Sequence, residues 1–261
     1  MKKLIVESLR QSTIKDADTD ALLRESPPLS TSLALSSDSQ PDTLMMSYEE
    51  FLSWSDEDIH AEWIPIDGPD DGEVIVQMPP KLIHQEISDF LSELLRLFVH
   101  LFNLGKIIVA PFEVKLQPGG SSREPDIFFV ATENLNRPPD LVIEIISEGS
   151  VKRDRSDKYK EYQAAGVREY WVIDPREGQQ HADFFRLDTA ADATIKGEYH
   201  LFATEGDERV ESRVLPGFWL RPVWLWQAGS LDPWLILCEM AGLSETVVDQ
   251  FRERLRAGFE R

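Results

Sequence analysis

Between Arg123 and Asp174 two short apolar runs each carry one acidic residue, and few folds can hold such residues. The run Leu141-Val142-Ile143-Glu144-Ile145-Ile146 has the length of a strand and is apolar on both alternations, as in a strand covered on both faces. A lone carboxylate there loses its water, which costs several kcal/mol unless a cation or hydrogen-bond donors replace it. Glu144 is therefore a site candidate. Asp126 opens a second run, Asp126-Ile-Phe-Phe-Val130, behind Pro125, whose missing N–H suits a strand start. On neighbouring strands Asp126 and Glu144 would lie roughly 5 Å apart in backbone. Two carboxylates that close repel unless they share a proton or a cation. With oxygen ligands only, the cation would be hard, Mg²⁺ or Mn²⁺.

The next segment, Lys152 to Tyr162, reads as a helix on which Asp154, Lys158 and Tyr162 recur every four residues and share one face. Gly166 suits its C-cap, and Val167 to Ile173 returns to an apolar strand. Strand, helix, strand over this distance is a crossover joining two parallel strands. A second Pro-Asp, Pro139-Asp140, stands four residues before Glu144. On one strand that is roughly 13 Å, too far to share an ion, so Asp140 is assigned to the strand start or its turn.

The Pro-Asp, the strand with Glu144, the helix with its lysine and the phrase AGVREYWVIDP resemble the Uma-type endonuclease family of the PD-(D/E)xK restriction-endonuclease-like superfamily. The resemblance spans roughly Ser47 to Leu220 and is most specific from Glu124 to Pro175. It implies a mixed α/β (α+β) fold, a restriction-endonuclease-like central sheet flanked by helices. Asp126 matches the aspartate of the Pro-Asp signature and Glu144 the second acidic residue. Position 146, where the superfamily lysine normally stands, is Ile. Lys158 on the following helix matches the migrated lysine of the Uma-type pattern. His84 resembles a histidine that members often carry on the preceding long helix, from which it could lean over the site; the alternative is a surface or satisfied core histidine. One departure is Glu148, where members often have proline; it adds a negative charge beside a phosphate-handling site.

On this reading Asp126, Glu144 and the backbone carbonyl near Ile145 hold Mg²⁺ or Mn²⁺, Lys158 orients a water or stabilises charge on phosphorus, and Asp154 and Tyr162 position Lys158. The implied activity is metal-dependent hydrolysis of phosphodiester bonds, with DNA as substrate. Lys115, on a strand before the Pro-Asp, is the alternative lysine. The competing function is a binding or assembly module that keeps the nuclease fold without catalysis. A weaker third is glycoside hydrolysis by the same carboxylates, against which Lys158 and the lack of a sugar-stacking aromatic near the strands count.

The net charge of −20 and pI of about 4.6 argue against a protein that coats nucleic acid. They do not exclude a nuclease whose metal supplies local positive charge. Lys152, Arg153, Arg155, Lys158 and Lys160 also cluster beside the candidate site. The single cysteine, Cys238, excludes an intrachain disulfide and a cysteine-based zinc site. No segment reaches the roughly 20 apolar residues of a membrane span, and MKKLIVESLRQ is too short in apolar residues for a signal peptide. A cytoplasmic protein is expected.

Residues 1–43, rich in Ser, Asp, Thr and Pro, read as a disordered tail. The nuclease domain is then 44–222, and 223–261 a helical appendage. The domain opens with a capping box at Ser47–Glu50 starting a short helix through Trp54. A hairpin of Ala61–Ile66 and Glu73–Met78 follows, with Glu62 and Glu73 as exposed strand-face charges or supporting groups. Apolar residues at helical spacing predict a helix from Lys81 to about Asn103, closed by Gly105. His100 is assigned to its surface. Lys106–Gln117 reads as one strand. Short strands after Asp174 read as an antiparallel extension. Trp219, Trp224, Trp226 and Trp234 are assigned to packing. The last helix, from Glu245, is amphipathic and suits self-association into a homodimer.

Overall fold

The computed structural model describes residues 44–55, 61–66, 68, 70–76, 80–116, 120–134, 137–188 and 197–259; the expected tail, 1–43, lies outside them. The chain divides into two units, one holding the described residues up to 76 together with 120–122, the other holding 80–116 and the chain from Arg123 onward.

In the first unit β1 (Leu44–Met46) leads into α1 (Tyr48–Trp54), then β2 (Ala61–Pro65) and β3 (Gly72–Val76). The expected capping box is present: Ser47 accepts from the Glu50 backbone while Glu50 reaches back to the Ser47 N–H. β3 pairs antiparallel with both β1 and β2. Glu62 is a correction: it is fully buried rather than exposed. β2 is an interior strand, with β3 on one side and Ser122 opposite Trp63 on the other. Trp63, also buried, donates its indole N–H to the Met46 carbonyl at 2.9 Å.

The second unit starts with α2 (Leu82–Leu101), then β4 (Gly105–Val109), β5 (Val114–Lys115) and β6 (Ser122–Arg123), of which Arg123 belongs here. The helix ends earlier than expected, with Asn103 taking the left-handed turn at φ 53°, and Gly105 begins β4. The single strand expected over 106–117 is divided. Pro111, joined to Ala110 by a cis bond, has no N–H to continue the ladder. β7 (Ile127–Ala131) and β8 (Leu141–Ile145) follow, then a π-helical stretch, Arg153–Lys158, running into α3 (Tyr159–Ala165). Next come β9 (Glu169–Asp174), β10 (His181–Asp188), β11 (Glu198–Thr204), β12 (Val210–Glu211) and β13 (Trp219–Leu220). A 3-10 stretch (Pro222–Ser230), α4 (Pro233–Met240) and α5 (Glu245–Phe259) complete it. None of the described helices is long and apolar enough to cross a membrane.

The main sheet runs β11-β10-β9-β8-β7-β4, mixed because β8 and β9 are parallel and every other pair is antiparallel. Strand alternation sorts its side chains between two cores. Ile127, Phe129, Leu141, Ile143, Ile145, Trp171 and Ile173 pack with Ile87, Leu91, Leu94 and Phe98 of α2. Leu225 and Ile236 of the C-terminal helices join that same core. Phe128, Val130, Val142, Ile146, Tyr170 and Val172 pack on the other side with Tyr162 of α3. The sheet is thus covered on both faces, the condition under which Glu144 must be buried. Glu144 shares the even-numbered alternation of Val142 on β8, so it falls on the α3 side, where Tyr162 meets it.

Candidate active site

Register places the two carboxylates. Ile127 stands opposite Ile143 in the antiparallel β7–β8 ladder. Asp126 directly precedes that pair on one strand and Glu144 directly follows it on the other. Asp126 sits just outside β7, where its Oδ2 accepts a hydrogen bond of 2.7 Å from the Ile145 N–H. That bond ties the loop aspartate to the end of β8, beside the backbone of the residue after Glu144. Asp140, the rival, is spent elsewhere: its Oδ2 accepts from the Ala131 N–H at 2.7 Å and its Oδ1 from Arg168 at 2.7 Å. It is a structural joint between β7 and the start of β9.

Glu144 is 2% exposed and does not lack partners. Its Oε1 lies 2.9 Å from Lys158 Nζ and accepts the Tyr162 hydroxyl at 2.8 Å. Lys158 Nζ also lies 3.2 Å from Asp154 Oδ1. The face shared by Asp154, Lys158 and Tyr162 thus turns inward onto Glu144, and Lys158 and Asp154 are each 2% exposed. Tyr162 holds the same Glu144 oxygen that Lys158 binds. The π-helical stretch ends at Lys158 itself. Such one-turn widenings re-aim side chains, and here Asp154 and Lys158 both reach the sheet.

His84, in the first turn of α2, brings Nε2 to 3.4 Å from Asp126 Oδ1. Burial lowers the tendency of its ring to hold a proton. Asp126, the Ile145 backbone and Asp154 outweigh that, so its pKa lies above the ordinary histidine value. The helix does lean over the end of β8. Tyr170, which no residue pattern singles out, donates its hydroxyl to the Asp154 carbonyl at 2.8 Å. Its phenol pKa is pushed well above the ordinary range, first by complete burial and then by the charges of Glu144, Asp154 and Asp126. Arg123 was also missed: fully buried, it grips Glu161 of α3 through two hydrogen bonds of 2.8 and 2.7 Å. This fixes α3 to the segment leading to Asp126. Only tertiary contact reveals either residue.

Among the described residues no group of three or more His, Cys, Asp and Glu converges as a metal cage. A metal here would take two carboxylates and a carbonyl. That set fits a hard divalent cation on two observations. The donors are all oxygen, and Glu144 and Asp154 share the single charge of the Lys158 amine.

A family profile, Uma2, described as putative restriction endonuclease, matches residues 48–223. Among solved structures, a putative nuclease belonging to DUF820 from Anabaena variabilis is similar, with a TM-score of 0.55 and 17% sequence identity, covering 70% of this chain and 98% of that one. At that identity the likeness is one of fold. No curated protein sequence matches.

Proposed function

The chain belongs to the Uma2 family, and from that membership and the site geometry we propose that it is a divalent-metal-dependent endonuclease hydrolysing phosphodiester bonds of DNA. The observation that carries this is Asp126 bonded to the Ile145 N–H, the residue next to Glu144 at the end of β8, with the Lys158 amine on Glu144 at 2.9 Å. Asp126, Glu144 and the Ile145 carbonyl would hold Mg²⁺ or Mn²⁺. Bound there, the ion supplies Lewis-acid charge to a phosphodiester oxygen and to the attacking water.

The chain's own groups do the rest. Lys158, held between Glu144 and Asp154, is aimed to orient the water and to stabilise charge developing on phosphorus. Tyr162 fixes the Glu144 carboxylate, and the Ile145 N–H fixes that of Asp126. Arg123, through Glu161, holds the helix that carries Lys158. Burial excludes competing water from this network and strengthens every charge interaction within it.

The test is nicking of supercoiled plasmid in Mg²⁺ or Mn²⁺. Wild type should convert it to open circle, chelator should stop the reaction, and Asp126→Ala and Glu144→Ala should abolish it. The competing reading, a fold that binds without cutting, is favoured by the net charge of −20 and by Glu148. Single- and double-stranded DNA and RNA left intact by wild type in both metals would put it ahead.

A further inference from the structure

Glu148 is the departure that the proposed activity does not absorb, and its surroundings give it a role. It lies in the turn after β8, at the end of the sheet where Asp126 accepts from the Ile145 N–H. Its Oε1 takes the Lys81 ammonium at 2.9 Å, and its Oε2 lies 3.7 Å from Nη1 of Arg176. Lys81 directly precedes α2, three residues before His84, and Arg176 directly follows Pro175 at the end of β9. Three segments that frame the site therefore meet at this carboxylate.

The two cations are built differently. Arg176 is fixed: its Nε and Nη2 grip Asp174 at 2.9 and 2.8 Å, so its remaining nitrogen, Nη1, is aimed at Glu148. Lys81 is a long side chain, 72% exposed, on a carboxylate 61% exposed. An ion pair that exposed contributes little and exchanges readily with another anion. A carboxylate shared by a fixed guanidinium and a mobile ammonium has the charge and donor requirements of a backbone phosphate.

Resting on the nuclease reading, we propose that Lys81 and Arg176 form a phosphate subsite for the nucleic-acid strand at the rim of the site, and that Glu148 occupies it as an internal competitor. A bound strand displaces the carboxylate, and Lys81 and Arg176 then hold the phosphate next to the one being cut. Glu148 thereby weakens binding of any nucleic acid and raises the length of correctly seated strand needed to hold it.

The test measures fluorescence anisotropy of a labelled DNA duplex, with Ca²⁺ in place of Mg²⁺, for wild type and Glu148→Gln across a salt series. Glu148→Gln should bind about three- to tenfold tighter, the scale of one added phosphate contact. Glu133→Gln, which removes the same charge beyond the opposite end of β7, should bind as wild type does. In a Lys81→Gln, Arg176→Gln background the gain from Glu148→Gln should vanish. Because Arg176 also braces Asp174, Lys81→Gln alone is measured in parallel; it should lower the salt slope of Glu148→Gln by about one. Equal binding by wild type and Glu148→Gln, or a gain that survives loss of both cations, overturns the subsite and leaves the nuclease reading standing. A duplex held by neither protein at low salt overturns both.

Discussion

At the scale of single residues, a lysine buried between two carboxylates holds the site together. Removing Lys158 leaves Glu144 and Asp154 without that amine in a site closed to water. Lys158→Met should therefore destabilise the fold by roughly 3–5 kcal/mol and slow cleavage by about a hundredfold or more. Denaturant titration and plasmid nicking read the two effects separately. Tyr162→Phe keeps the ring in its core and removes only the hydroxyl on Glu144. Its stability loss should be smaller, about 1.5–3 kcal/mol for a hydrogen bond to a charged group. Which residues converge here was legible in the sequence. Glu144 declared itself by interrupting an apolar strand, and Asp126 by its place after a proline. Which partner each would take was not: face-sharing at four-residue spacing grouped Tyr162 with Lys158, and the fold brings both onto one oxygen of Glu144.

At the scale of elements, backbone geometry separates two glycines. Gly166 caps α3 at φ 85°, with open space where a Cβ would project, so Gly166→Ala meets only the left-handed backbone penalty of about 1–2 kcal/mol. Gly105 starts β4 at φ 155°, and a Cβ there would lie 2.1 Å from the Val130 carbonyl oxygen. Gly105→Ala should lower the melting temperature more than Gly166→Ala, because a ladder carbonyl cannot move aside. In the β10–β11 hairpin, His181 lies 2.8 Å from Asp183 and 2.7 Å from Glu205. Burial lowers its pKa, but the two carboxylates outweigh that and the net shift is upward. A raised histidine pKa adds stability below the unfolded-state value, and that stability is lost as pH rises through the folded value. The melting-temperature deficit of His181→Gln should accordingly be larger at pH about 6 than at pH about 8. Helix and strand periods were readable for α2, β7, β8 and β9 because their apolar runs are long. The π-helical stretch was not, since its wider hydrogen bonding has no residue signature in Arg153–Lys158. The break at Pro111 was visible as a proline within a run, yet the alternation beyond it masked it.

At the scale of the whole molecule, charge decides how substrate can be held. With a net charge of −20 the chain repels a polyanion, so binding depends on the local cations and on a divalent ion. DNA affinity in chelator should fall well below affinity in Ca²⁺, as read by anisotropy at fixed ionic strength. Composition exposed this constraint, but not where the compensating cations stand. Lys81 and Arg176 are far apart in the chain and meet at Glu148. The measurement closest to the central claim is calorimetric titration of Mn²⁺ into wild type, Asp126→Ala, Glu144→Ala and Lys158→Met. The account predicts specific binding by wild type, its loss in both carboxylate variants, and its retention in Lys158→Met despite lost cleavage. Mn²⁺ affinity unchanged by removing Asp126 or Glu144 would contradict it.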